Sequence, residues 1–105
     1  MRQLLLRDGH RCGWCGRDDD TLVPHHRANR GMGGSRDRDT ISNLIWLCAD
    51  ENGLIESDER WAAKARADGV KISRHSDPAA VPIRHWLFGW VLLNDEGTAT
   101  PAPTI

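Results

Sequence analysis

Apolar residues in this chain fall into short runs set between Gly, Pro and charged positions, and each run predicts an element. RQLLLR over 2–7 reads as a short helix ended by Gly9. TLVPHH over 21–26 reads as a short strand, with Pro24 marking an edge or a bulge. LIWLC over 44–48 is uninterrupted and apolar, and reads as a second strand antiparallel to the first. A helix is expected from Ala49–Asp50, re-started at Ser57, which would cap DERWAAKARAD, and closed by Gly69. VKIS (70–73) reads as a strand, and IRHW with WVLLN around Phe88–Gly89 as a β-hairpin. Residues 96–105 read as a flexible tail. Between the first two strands lies RANRGMGGSRDRDT (27–40), with four Gly or Ser and four Arg and no apolar period. It is a loop, long enough to favour a function over mere connection. The pattern is that of an α+β chain with one domain over 1–95.

Composition sharpens this only in part. A chain of 105 residues with 39% hydrophobic content and five Trp fits one folded domain with a modest core. Trp46, Trp61, Trp86 and Trp90 are expected to pack that core. No apolar run approaches the ~18 residues of a membrane span. No signal-peptide pattern follows Met1, so a cytoplasmic location is the expectation.

The net charge of −1 is uninformative, but its distribution is not. Residues 1–38 hold eight Arg against five Asp, a net of +3, while 39–105 hold six basic against ten acidic side chains, a net of −4. The basic half is all Arg, whose forked guanidinium suits phosphate oxygens. Arg27, Arg30, Arg36 and Arg38 in the loop are the candidate DNA-binding set.

Three Cys without a secretory signal disfavour a disulfide framework. Cys12 and Cys15 have the two-residue spacing of a zinc knuckle, with Gly13 and Gly16 making the turn. The rival, a redox Cys-x-x-Cys, would instead open a helix after a strand. Around the Arg-rich loop stand His25, His26 and, beyond the second strand, Asn52. Adjacent strand residues point to opposite faces, so the two His divide their labour, one as metal ligand and one as base. An imidazole nitrogen and an amide oxygen can share one divalent cation with water and a substrate phosphate. Such a site suits phosphodiester hydrolysis, because a neutral His can take a proton from water near pH 7.

The run LVPHHRANRGMGGS…SNLIWLCADENGLIES resembles the HNH (His-Asn-His, ββα-metal) endonuclease family, closest to the small HNH proteins of bacteriophages. The likeness covers residues 10–58 by motif, and the combined pattern is specific where any one part alone is weak. It implies a ββα-metal core over about 21–58, with an N-terminal Cys knuckle and a C-terminal helix plus hairpin. It also implies His26 as general base, His25 as metal ligand and Asn43 as the residue that braces the loop and orients the base. The third family position, often His, is Asn52 here, and relatives with Asn use its oxygen as a metal ligand. Mg²⁺ or Mn²⁺ is the implied cofactor, with Ni²⁺ or Zn²⁺ also admitted by His ligation. The implied products carry 5′-phosphate and 3′-hydroxyl ends. DNA is the implied partner, and family context adds phage packaging proteins and a host cytoplasm.

One departure concerns a structural zinc. Many zinc-bearing relatives have two Cys-x-x-Cys pairs, whereas the second pair here reads Cys48-x-x-Glu51. Glu51 would supply an oxygen in the missing place, or His10 a nitrogen. The alternatives to a nuclease are a non-catalytic HNH module that binds DNA or a phage protein, and a zinc-knuckle interaction protein.

Overall fold

The computed structural model describes residues 6–18, 21–28 and 40–102. Leu6–Asp8 are helical and Gly9 ends that turn with φ +69°. Strand β1 (Val23–His26) pairs antiparallel with β2 (Leu44–Leu47), His25 opposite Ile45 and His26 opposite Leu44. Leu44, Ile45 and Leu47 are all buried, which is why this run does not alternate with polar residues. Cys48 precedes helix α1 (Ala49–Ser57), and α2 (Glu59–Ala67) follows after a single residue.

That break falls at Asp58, not at the expected cap Ser57. Ser57 is still helical and its hydroxyl donates to the Gly53 carbonyl at 2.9 Å. Asp58 is extended, and its carboxylate accepts from the Arg60 amide at 2.8 Å, the usual way to satisfy an orphan donor of a first turn. Gly69 closes α2 as expected, with φ +75°. A Cβ there would stand 2.0 Å from the Pro82 carbonyl oxygen, so close approach as well as φ demands glycine.

The rest of the chain builds a second antiparallel sheet, β3 (Ile83–His85), β4 (Gly89–Leu93) and β5 (Ala99–Pro101), in that order. The hairpin matches expectation. The tail does not: within 96–105, Ala99, Thr100 and Pro101 pair with Leu93, Leu92 and Val91. The backbone hydrogen bonds of β4's free edge reward an added strand even of weak strand formers. VKIS makes no strand beyond an isolated bridge between Ile72 and Ala28.

The fold is thus mixed α+β, with two helices and two antiparallel sheets among the described residues. One core joins Cys12, Ile45, Leu47, Cys48, Ile55 and Ala65 to Val70, Ile83, Val91 and Leu93. Trp61 is partly buried against this core and Trp46 against a smaller cluster of Ile41 and Leu44, but Trp86 and Trp90 are 38% and 47% exposed, against expectation. No described helix is long and apolar enough to cross a membrane.

A buried polar network ties the start of the chain to both sheets. The His85 Nδ1 accepts from the Leu87 amide at 3.1 Å, so the ring proton sits on Nε2 and is donated to Asp8 at 3.0 Å. Arg7 donates to both Asp8 oxygens, at 2.8 and 2.9 Å, and to the carbonyls of Ile41 and Leu44. Burial alone would raise the Asp8 pKa. The hydrogen bonds from Arg7 and His85, with the charge of Arg7, outweigh it and hold the carboxyl below its ordinary range.

Candidate functional site

Two groups of candidate ligands occupy the first half of the chain, and their geometry differs. The first is the knuckle. The turn after Cys12 is closed by the Gly16 amide donating to the Cys12 carbonyl and the Cys12 amide donating to that of Arg17, both at 2.9 Å. Gly16 has φ +80°, and a Cβ there would lie 2.8 Å from the Trp86 ring, so only glycine lets the turn lie flat against it. The Gly13 amide donates to the Trp46 carbonyl at 2.8 Å, which anchors the turn to β2.

Cys48 directly follows that same strand and Glu51 stands in the first turn of α1, three residues on. The four side chains converge. The ligand atoms of Cys12, Cys15, Cys48 and Glu51 all lie within 4.8 Å of one another, with only Cys15 exposed. Cys15 Sγ is 4.0 Å from Cys48 Sγ, and Glu51 Oε1 is 3.0 Å from Cys12 Sγ and 3.6 Å from Cys48 Sγ. Zn–S bonds of ~2.3 Å and a Zn–O bond of ~2.0 Å give tetrahedral edges of about 3.5–3.8 Å, close to these separations. The donor set fits a cation such as Zn²⁺. It does not fit a disulfide, which needs ~2.05 Å.

Electrostatics agree. Burial pushes the Cys12 thiol well up from its ordinary value, and backbone amides offset only part of that. Burial also raises Cys48, with the charges of Glu51 and Cys15 adding to it. Without a cation these thiols hold their protons, and a metal must displace them to bind. His10, the other candidate for the fourth corner, lies outside the cluster; its ring faces Asp18 at 3.6 Å and both are exposed.

The second group is the His pair with the residues that the resemblance joins to it. His25 and His26 are half-buried neighbours on β1. The His25 Nε2 lies 3.1 Å from the Val70 carbonyl oxygen. A carbonyl only accepts, so Nε2 carries the proton and Nδ1 the lone pair. A metal-binding His commonly spends its other N–H on a backbone carbonyl in this way. Burial lowers the His25 pKa, which keeps the ring neutral at neutral pH, and the nearby charges of His26 and Lys71 act in the same direction. The hydrogen bond to Val70 and the charge of Glu56 pull the other way, which puts Glu56 within electrostatic reach of His25.

Glu56 does not stand among the residues assigned from the sequence. Its signal was the four-residue step from Asn52, which sets both on one face of α1. Asn52 itself is half-buried, its backbone N–H donating to the Cys48 carbonyl at 2.9 Å.

Asn43 is fully buried and works on the backbone. Its Oδ1 accepts from the Ala28 amide at 2.8 Å, its Nδ2 donates to the Ala28 carbonyl at 3.0 Å, and its own carbonyl accepts from the Arg27 amide at 2.8 Å. It thereby holds the chain just where β1 ends, two residues beyond His26.

Arg27 must be removed from the DNA-binding set. It is 1% exposed, and its guanidinium donates to the carbonyls of Gly69, Ser42, Pro78 and Val81 at 2.7–3.0 Å. Burial, with the charge of Arg7, pushes its pKa down to about 10, so it remains a cation at neutral pH, held by carbonyl dipoles. Arg30, Arg36 and Arg38 lie outside the described residues. No family model, curated protein or solved structure matches the chain.

Proposed function

We propose that the chain is a metal-dependent HNH endonuclease hydrolysing DNA phosphodiester bonds, with a ββα-metal core formed by β1, β2 and α1. The observation that carries this is the His25 ring. Its N–H is spent on Val70 and its lone pair lies on Nδ1, in a chain whose next helix brings Asn52 and Glu56 on one face. His25 and Asn52 would hold Mg²⁺ or Mn²⁺, and Glu56 adds a carboxylate oxygen beside them. When bound, such an ion supplies positive charge for the phosphate in flight and for the departing 3′ oxygen.

The chain's own groups do the rest. His26, on the opposite side of the strand from His25, takes the proton of the attacking water as general base. Asn43 fixes the backbone at 27–28 and so sets the position of the His pair, a positioning role with no contact to substrate. The cluster of Cys12, Cys15, Cys48 and Glu51 would hold a structural zinc, which would tie the knuckle to the start of α1.

The test is nicking of supercoiled plasmid in Mg²⁺, Mn²⁺ or EDTA. Wild type should convert plasmid to open circles in at least one metal and not in EDTA, and His26→Ala should lose that activity at unchanged thermal stability. Plasmid left intact by wild type in every metal would refute the nuclease and leave the non-catalytic module, and equal cutting by the variant would take the role of base away from His26.

A further inference from the structure

The β3–β4 hairpin presents aromatic residues to solvent where a core was expected. Trp86, Leu87, Phe88 and Trp90 are 38%, 56%, 45% and 47% exposed. Isolated exposed apolar residues are ordinary; four large ones within five positions are not. Cations stand among them. Arg84 is the cross-strand partner of Trp90, so both leave the sheet on the same exposed face, opposite to buried Ile83 and Val91. The Arg11 guanidinium lies over the Trp86 ring at 5.5 Å. Neither Arg11 nor Arg84 has a carboxylate partner among the described residues.

Beside the hairpin opens a cleft of about 420 Å³, walled by Trp14 and Trp86 and lined by Lys64 and Arg84. Its two carboxylates are already engaged, Asp68 with the Trp14 Nε1 at 2.9 Å and Glu51 with Cys12. Lys64 lies over the Trp14 and Trp61 rings and Arg11 also donates to the Gly16 carbonyl at 3.1 Å, which leaves the exposed Trp90 ring with the Arg84 guanidinium beside it.

We infer that this hairpin face and cleft bind single-stranded DNA, with an unstacked base on Trp90 and the phosphate backbone on Arg84 and Arg11. Aromatic rings interleaved with cations are the chemistry that grips a single strand, since every base has a π-face and every linkage a negative charge. A two-fold second copy fits less well, because it would bring two copies of the same basic face together, where a nucleic-acid strand brings negative charge to it. The face includes none of His25, His26, Asn52 or Glu56, so it is a surface additional to the proposed cutting site and can be tested without cutting.

The experiment measures fluorescence anisotropy of labelled oligothymidylate and of a duplex of equal length, with zinc-loaded protein carrying His26→Ala. Trp90→Ala should weaken single-strand binding about tenfold, the loss of one stacked base, while Trp90→Phe keeps most of it. Arg84→Gln should reduce the slope of log affinity against log salt by about one. Trp90 is half exposed, and an unchanged melting curve confirms that the variant folds. Unchanged affinity in both Trp90→Ala and Arg84→Gln overturns the inference. So does self-association of wild type that Trp90→Ala abolishes while oligothymidylate affinity stays the same, which would give the face to a second copy. Plasmid nicking plays no part in this readout, so either proposal can fail alone.

Discussion

The knuckle cluster and the His pair are both groups of metal-type donors, yet they are assembled by opposite means. Cys12 and Cys15 come from one tight turn, Cys48 and Glu51 from one strand end and the helix turn that follows it. Two local segments, each pre-bent by its own backbone hydrogen bonds, need only meet once for four donors to converge. His25 and His26 are neighbours in sequence and diverge by strand geometry. Each needs partners from elsewhere: Val70 for the tautomer of His25, Asn43 for the chain just past β1 and, in the proposed site, α1 for Asn52 and Glu56. The difference teaches that the first site is part of the core, with Cys12 and Cys48 fully buried in it, while the second is set upon the core. One should govern stability and the other activity.

The largest effect is expected at the cluster. Cys12→Ala should lose zinc and, with it, the cooperative melt of the loaded protein, since the free energy of structural zinc binding is folding free energy of order 10 kcal/mol. Zinc content by elemental analysis with a thermal melt checks this; a variant that melts like wild type would mean that the cluster is not structural.

Next comes the buried network that has no metal. Asp8→Asn leaves the Arg7 guanidinium buried without its counter-charge and should cost about 3–5 kcal/mol at pH 7. The folded Asp8 pKa lies below its unfolded value, so its stabilisation is complete above an unfolded aspartate's ~3.9 and is lost as pH falls from there through the folded value. The gap between wild type and variant in denaturant titrations should therefore be constant from neutral pH to about 5 and narrow below about 4. A gap that widens in acid contradicts the network as described.

The smallest effect on stability should come from the second site. Glu56→Gln should leave the melt and zinc content unchanged and slow plasmid nicking about tenfold or more, the scale of removing a group that tunes a metal ligand. Nicking at the wild-type rate would take Glu56 out of the site.

Much of this was legible in the chain because the cues were local. The apolar run 44–48, the Cys12–Cys15 spacing and the hairpin around Phe88–Gly89 all follow from neighbouring residues. What was not legible depended on distant ones. Arg27 looks like its loop neighbours until Ser42, Gly69, Pro78 and Val81 supply four carbonyls to it. Ser57 is a better cap than most residues, but α1 runs through it and Asp58 takes the role. Ala99–Pro101 has weak strand character and is recruited by the open edge of β4. Trp86 and Trp90 look like core in any composition count, and only the register of Trp90 with Arg84 turns it outward.

The claim that two separate metal sites serve two separate ends is tested most directly by titrating Mn²⁺ into zinc-loaded protein and following the free ion by electron paramagnetic resonance. Wild type should bind one Mn²⁺ beyond its zinc, and His25→Ala should abolish that binding with zinc content and melting curve intact. Equal Mn²⁺ binding by wild type and His25→Ala, or loss of zinc on the same substitution, would contradict it.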